Sequence, residues 1–279
     1  MHTPQLAGIL DRLRTQPSRT GSVIVSLYGD AIAPRGGSLA LSSLLAICRG
    51  MGLSEGVVRT AISRLAADGW LAANRQGRAG FYRLTEHGRQ ETAAAAQRIY
   101  KDIRPRWSGR LTLCLLPPDE DRAALEAAGF AVFAPGVLLS PDTAAAPAGL
   151  TLRAEAEPDV LRRLARQCWP LDKIAEGYQQ VLEIFGSLQR HGVGALPPLE
   201  ALVARVLLIH AFRRAVLKDP LLPGEMLPAD WPGFAARSLV AALYAALLPP
   251  AEAWLDGHAR AEGGPLPKPD AGLAARFRR

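Results

Sequence analysis

Four polar side chains, Arg59, Thr60, Ser63 and Arg64, recur at a spacing that gathers them on one side of a single helix. Arginine placed there can donate paired hydrogen bonds to guanine O6 and N7 in a DNA major groove. The hydroxyls of Thr60 and Ser63 can meet base edges or phosphates. Just downstream, Arg75, Gln76 and Arg78 lie within the run Asn74-Arg75-Gln76-Gly77-Arg78-Ala79, where they could reach a minor groove or the sugar-phosphate backbone. Either set alone also fits a solvated surface. What favours nucleic acid is their order: a tight turn, the polar helix face, then a basic loop.

A second constellation, His210-Ala211-Phe212-Arg213-Arg214, places a histidine and two arginines within about one helical turn, able to clamp phosphate groups on a ligand. The alternative is that Arg213 or Arg214 pairs with Asp219, Asp230 or another carboxylate to hold helices together. Trp169, Tyr178, Phe185, Phe212, Trp231, Phe234 and Tyr244 share the same region, as walls of a pocket for a flat ligand or as core packing. Catalytic signatures are missing: no H-E-x-x-H, G-x-S-x-G, P-loop or G-x-G-x-x-G occurs. Cys168 and His210 have no nucleophile–base signature around them, and His2, His87, His191 and His258 fall near turns or a terminus. Cys48, Cys114 and Cys168 have neither disulfide-framework nor metal-ligand spacing and read as small buried hydrophobes in a reducing cytoplasm. No catalytic residue, metal site or cofactor is expected.

The elements that must position these residues follow from period and punctuation. Ser22–Tyr28 and Leu39–Cys48 are apolar segments of helical length, joined by the turn-rich stretch Gly29–Gly37. A third helix starts after Ser54 as N-cap, buries Val58, Ala61, Ile62 and Leu65 at i, i+3, i+4, i+7, and ends at Gly69. Trp70–Ala73 and Gly80–Leu84 read as strands flanking a basic hairpin tip, completing the layout of a winged helix-turn-helix. A connector helix spans Thr85–Arg104. From Trp107 to Glu157, strand candidates (Leu111–Leu116, Phe130–Phe133, Val137–Leu139, Leu150–Ala156) alternate with a helix at Asp119–Ala128 and a loop at Ser140–Gly149, as a small α+β module. Beyond Pro158 the pattern is helical, over Asp159–Cys168, Leu171–Arg190, Leu199–Lys218 and Phe234–Leu248, punctuated by proline clusters and followed after Gly263 by a loose basic tail.

Composition agrees with a folded, multidomain α+β chain of 279 residues, 49% hydrophobic and 21% charged. Residues 1–110 carry a net charge of +9 and residues 111–279 a net of −2, so one basic domain precedes a near-neutral body. No apolar run reaches 18 residues and no secretory signal opens the chain, so a cytoplasmic protein without a membrane span is expected. The expected divisions are 1–106, 107–157 and 158–279.

Several of these motifs also occur together in one known family. Ser26-Leu27-Tyr28-Gly29-Asp30-Ala31-Ile32, Gly36-Gly37, Val57-Val58-Arg59-Thr60-Ala61-Ile62-Ser63-Arg64-Leu65, Gly69-Trp70-Leu71 and Gly77–Thr85 resemble the PaaX family, transcriptional repressors of phenylacetate catabolism. The far end is similar too, through His210–Arg214, Asp219-Pro220-Leu221-Leu222-Pro223 and Leu227–Gly233. Where the family motif is Trp-Asp-Gly-x-Trp, this chain reads Trp107-Ser108-Gly109-Arg110-Leu111. The resemblance implies an N-terminal winged helix, a central ferredoxin-like domain and a C-terminal all-helical domain. It further implies a homodimer on a two-fold related operator, released by an aryl-acyl-CoA such as phenylacetyl-CoA. On that reading Arg59, Thr60, Ser63, Arg64, Arg75, Gln76 and Arg78 contact DNA, while His210, Arg213, Arg214 and Trp231 contact the effector. Two alternatives remain: an enzyme acting on acyl-CoA or nucleic acid that uses a winged helix for recruitment, and a winged helix that binds protein. The first lacks a readable nucleophile or metal cluster, and the second has no need of the basic face.

Overall fold

The computed structural model describes residues 2–14, 19–101, 107–115, 122–127, 129–141, 150–194 and 196–278. It divides into two compact units that do not follow chain order. The first joins Met1–Asp102 with Tyr178–Leu217 and Phe234–Arg279; the second joins Ile103–Gly177 with Lys218–Gly233. The expected helical block 158–279 is thus shared between the two units.

The first unit opens with helix α1 (Pro4–Arg14), which burial of Leu6, Ile9 and Leu10 stabilises. Helix α2 (Thr20–Leu27) runs into a π-type turn at Tyr28–Ile32 and a 3-10 turn at Ala33–Arg35. The stretch expected as an open turn is therefore wound and mostly buried, with only Gly36 and Gly37 in the left-handed region. Strand β1 (Ser38–Ala40), α3 (Leu41–Gly50) and α4 (Glu55–Ala67) follow; α4 buries Val58, Ala61, Ile62 and Leu65, the face its period predicts. Strands β2 (Leu71–Gln76) and β3 (Ala79–Leu84) complete an antiparallel sheet in the order β1-β3-β2. Their ladder runs from Leu71↔Leu84 to Gln76↔Ala79, so Gly77-Arg78 alone makes the turn, with Gly77 at φ +58. Arg75 and Gln76 consequently sit on a strand rather than in a loop. Helix α5 (Glu86–Tyr100) is capped by Thr85, whose Oγ1 accepts from Gly88 N at 3.0 Å. A Cβ on Gly88 would come within 2.4 Å of Trp70 O, so glycine is required where this helix crosses the hairpin base.

The second unit contains β4 (Leu111–Leu115), α6 (Arg122–Ala127), β5 (Ala131–Ala134), β6 (Val137–Pro141) and β7 (Leu150–Ala154). These strands form an antiparallel sheet in the order β5-β6-β4-β7, with Cys114, Leu125, Phe130 and Leu138 as core. The expected helix start at 119–121 and most of the expected loop, 142–149, lie outside the described residues. Helix α7 (Pro158–Cys168) packs on the 3-10 turn Gly224–Met226. Nearby, Leu221 takes φ +56, a conformation held by Asp219 Oδ1 accepting from its N–H at 2.7 Å.

Helix α8 (Leu171–His191) begins in the second unit and ends in the first. Helix α9 (Pro198–Val216) is buried on every side from Ala201 to His210, as expected of a central core helix. Helix α10 (Pro232–His258) runs past the expected end at Leu248 and continues through Pro249-Pro250. Burial of Leu247, Ala251 and Leu255 outweighs a cost of about 3 kcal/mol per interior proline. By length and composition alone α10 could cross a membrane, with a best 18-residue mean hydropathy of 1.4; here Val240, Leu243, Tyr244 and Leu247 pack into the core. The chain end is not a loose tail. It forms a small hairpin, β8 (Arg260–Ala261) with β9 (Gly264–Pro265), and then α11 (Ala271–Ala274), capped by Asp270.

Candidate nucleic-acid interface and the ionic centre behind it

Arg59, Thr60, Ser63 and Arg64 all lie on the exposed side of α4, opposite its buried stripe. Arg59 is 3.9 Å from Glu55, which Arg49 approaches more closely at 2.7 Å. Thr60 Oγ1 donates back to Gly56 O at 3.0 Å. Arg64 and Thr60 turn toward α2, where with Arg19, Val57, Trp70 and Arg213 they line a groove of about 720 Å³. On the hairpin, Arg75, Gln76 and Arg78 are exposed, and among the described residues neither Arg75 nor Arg78 is in an ion pair. Gln76 is already engaged: its Nε2 donates to Glu262 Oε1 at 3.3 Å. The same carboxylate accepts from Asn74 Nδ2 and pairs with Arg83 at 2.7 Å. Glu262, at the tip of the β8–β9 hairpin, is a contact the sequence reading missed.

Of the expected effector contacts, His210 and Arg213 share one face of α9. His210 Nδ1 lies 2.9 Å from Ser26 Oγ, and Arg213 Nη1 donates to Ser26 Oγ at 3.0 Å and to Ser22 O at 3.3 Å. Burial, with Arg213 and Arg214 nearby, pulls the His210 pKa down to about 4, so its ring is neutral at pH 7. Burial likewise lowers Arg213 from its ordinary value. Arg214 is exposed, and Trp231 is buried in the second unit, apart from the unit that holds the other three. Cys48 and Cys114 are buried free thiols, and burial pushes Cys48 up to about 12. Among the described residues, no three His, Cys, Asp or Glu side chains cluster as a metal site.

Behind the exposed face lies a charge centre that was not anticipated. Asp30, fully buried in the π-type turn, receives Arg205 Nε at 2.9 Å on Oδ2. On Oδ1 it receives Tyr100 Oη at 2.7 Å, Tyr244 Oη at 3.0 Å and Arg276 Nη1 at 3.0 Å. Arg205 continues to Glu252 at 2.7 Å, and Glu252 also receives Arg35, which reaches Asp256 at 2.9 Å and Pro267 O at 2.8 Å. Burial opposes the charge on Arg205, and Asp30, Tyr244 and Glu252 outweigh it, so this arginine is held above its ordinary pKa. Arg276 also stacks over the Tyr100 ring at 4.0 Å, while Phe277 packs edge-on against Tyr100 at 5.3 Å. Four segments distant in sequence are tied to one carboxylate. The available signal was Arg205, a lone charge in the apolar run Leu202–Ile209.

Comparison with known proteins places this geometry. Residues 19–88 match the family described as PaaX-like protein, and residues 169–257 match the PaaX-like protein C-terminal domain. The chain is 35% identical to the transcriptional repressor PaaX of Escherichia coli (strain K12), across 92% of this chain and 89% of that protein. The chain belongs to the PaaX family. A solved structure, the uncharacterized protein Rv0674 from Mycobacterium tuberculosis, superposes with a TM-score of 0.54 at 25% identity, covering 83% of this chain and 97% of that one. The first PaaX match contains α4, the hairpin and Asp30; the second contains Arg205, His210, Arg213 and Glu252. Asp30, Arg205, Tyr244 and Glu252 of the ionic centre therefore fall in matched regions, as does every expected DNA contact, while Tyr100 and Arg276 lie outside them.

Proposed function

We propose that this chain is a ligand-responsive transcriptional repressor of a phenylacetate-type catabolic operon, acting in the cytoplasm as a homodimer on a two-fold related operator. The observation that carries the reading is the exposed row Arg59, Thr60, Ser63 and Arg64 on α4, directly before a hairpin whose Arg75 and Arg78 form no ion pair among the described residues. Three helices with the β1-β3-β2 sheet read as a winged helix-turn-helix, in which α4 enters the major groove and the hairpin is the wing. The strand order β5-β6-β4-β7, all antiparallel with α6 after the first strand, supports the ferredoxin-like reading of the second unit. Edge strand β7 exposes Leu150 and Leu152, a candidate face for the dimer.

In this reading an aryl-acyl-CoA such as phenylacetyl-CoA binds the DNA-free form more tightly and so lowers operator affinity. Arg213 is the preferred effector contact in this reading, because it lines the groove between α2 and α4 while remaining half-buried. The test is fluorescence anisotropy with duplexes spanning the DNA upstream of this gene, titrated with phenylacetyl-CoA. Sequence-selective binding that the thioester reverses is expected; equal binding to scrambled duplexes, or indifference to the thioester, overturns the reading.

A further inference from the structure

The groove between α2 and α4 combines features that a DNA backbone does not use. Its volume of about 720 Å³ suits a small organic molecule. Arg19 and Arg64 stand on its two rims, and neither is in an ion pair among the described residues. Arg213 closes it from α9, braced from behind by Ser22 O and Ser26 Oγ, so its guanidinium is pre-positioned. Asp68 is the single acid among the lining residues, leaving a net positive site. Between these cations lie apolar surfaces: Val57, 49% exposed on an otherwise polar helix face, with Ala61 and Trp70. Phosphates alone would engage the arginines but not Val57 or the Trp70 ring, which packs edge-on against His87 at 5.5 Å; a ligand with an anionic head and an apolar body engages both.

We propose that this groove binds a small organic anion with a flat apolar body, and that such binding excludes DNA because Arg64 and Thr60 belong to both surfaces. The proposal deepens the effector reading by assigning regulation to direct competition at α4, and it rests on that reading for the DNA half. The anionic head sits among Arg213, Arg64 and Arg19, and the body lies along Val57 and Trp70. Linkage then requires reciprocity: DNA lowers affinity for the anion by the factor by which the anion lowers affinity for DNA.

Phenyl phosphate serves as probe, with inorganic phosphate as the arm that lacks an apolar body. Titration calorimetry on the full chain without DNA reads the groove directly, so this measurement stands even if no duplex binds. The expected result is phenyl phosphate binding at least tenfold tighter than phosphate, weakened tenfold or more by Arg213→Gln and lost in Val57→Trp, which fills the groove from an exposed position. Thermal melting of each variant reports folding, and Arg64→Gln, at an exposed site, gives a second test: it should weaken the probe and the duplex together. Equal affinity for the two phosphates, no binding at millimolar concentration, or binding unaffected by both Val57→Trp and Arg64→Gln overturns the groove assignment. Probe binding that leaves anisotropy of a bound duplex unchanged overturns the exclusion.

Discussion

Two populations of arginine divide the first unit. Arg59, Arg64, Arg75 and Arg78 stand exposed on α4 and the hairpin, while Arg35 and Arg205 are buried, and Arg276 is mostly so, around Asp30, Glu252 and Asp256. The side chain is the same and the physics opposite. An exposed guanidinium contributes little to stability and keeps its donors for a polyanion. A buried one must have its charge matched, and breaking the match leaves an uncompensated ion in a poorly solvated interior. The net charge of the N-terminal part therefore overstates its binding surface: Arg35 belongs to the core.

The largest expected effect separates the two groups by stability. Asp30→Ala should cost about 3–5 kcal/mol, because Arg205 and Arg276 lose their shared carboxylate inside the core. Arg78→Ala should change stability by no more than about 0.5 kcal/mol. Urea denaturation of both variants checks this, and comparable midpoints would remove the distinction.

The second effect lies between the groups, at His210. Its pKa of about 4 in the folded chain compares with an ordinary value of about 6.5. Stability from keeping the ring neutral is complete above pH 6.5. It declines as pH falls from 6.5 toward 4, where the unfolded chain binds the proton first, and declines no further below 4. The loss amounts to about 3 kcal/mol; it should be absent from His210→Asn and so appear in full in the difference between wild type and that variant. Denaturation series at pH 7, 5.5 and 4 measure it; parallel curves would mean that burial and the neighbouring Arg213 and Arg214 do not keep this ring neutral.

Within the exposed group, base readers and backbone contacts should part. Arg59→Ala is expected to cost about 1–3 kcal/mol in DNA binding and to relax preference at one base pair. Arg78→Ala should weaken all sequences alike and flatten the slope of log K against log salt by about 0.9. Binding titrations across salt and site variants distinguish them; identical profiles would place both arginines on phosphates.

Local order was legible and long-range charge was not. The face of α4 follows from apolar residues no more than seven positions apart, and the hairpin from strands separated by one turn. Asp30 and Arg205 are 175 residues apart, and neither neighbourhood names the other. An acid after Gly29 reads as a turn residue until something buries it. Likewise His210, Arg213 and Arg214 lie close in sequence, yet α9 buries the first, braces the second against α2 and leaves the third exposed. The chain end failed as a prediction for the same reason. Short runs such as Arg276-Phe277 acquire structure only by docking on Tyr100, Tyr244 and Asp30.

Glu262 crosses the boundary between the two groups, since it brings a carboxylate of the chain end onto the exposed hairpin. The hairpin does not need this contact to form: its ladder is complete from Leu71 to Gln76, and Tyr28 Oη already ties it to the core through Tyr82 O at 3.0 Å. What Glu262 changes is charge, because it neutralises Arg83 beside the strand that carries Arg75. Glu262→Gln keeps an amide that can still hydrogen-bond and removes the negative charge. Duplex binding should then tighten modestly, by about 0.5–1 kcal/mol, as expected for an exposed ion pair. The salt slope should steepen by about 0.9, because Arg83 becomes one more phosphate contact. Weaker binding with an unchanged slope would instead make Glu262 a brace for the wing, and would place the chain end with the buried arginines as part of the scaffold.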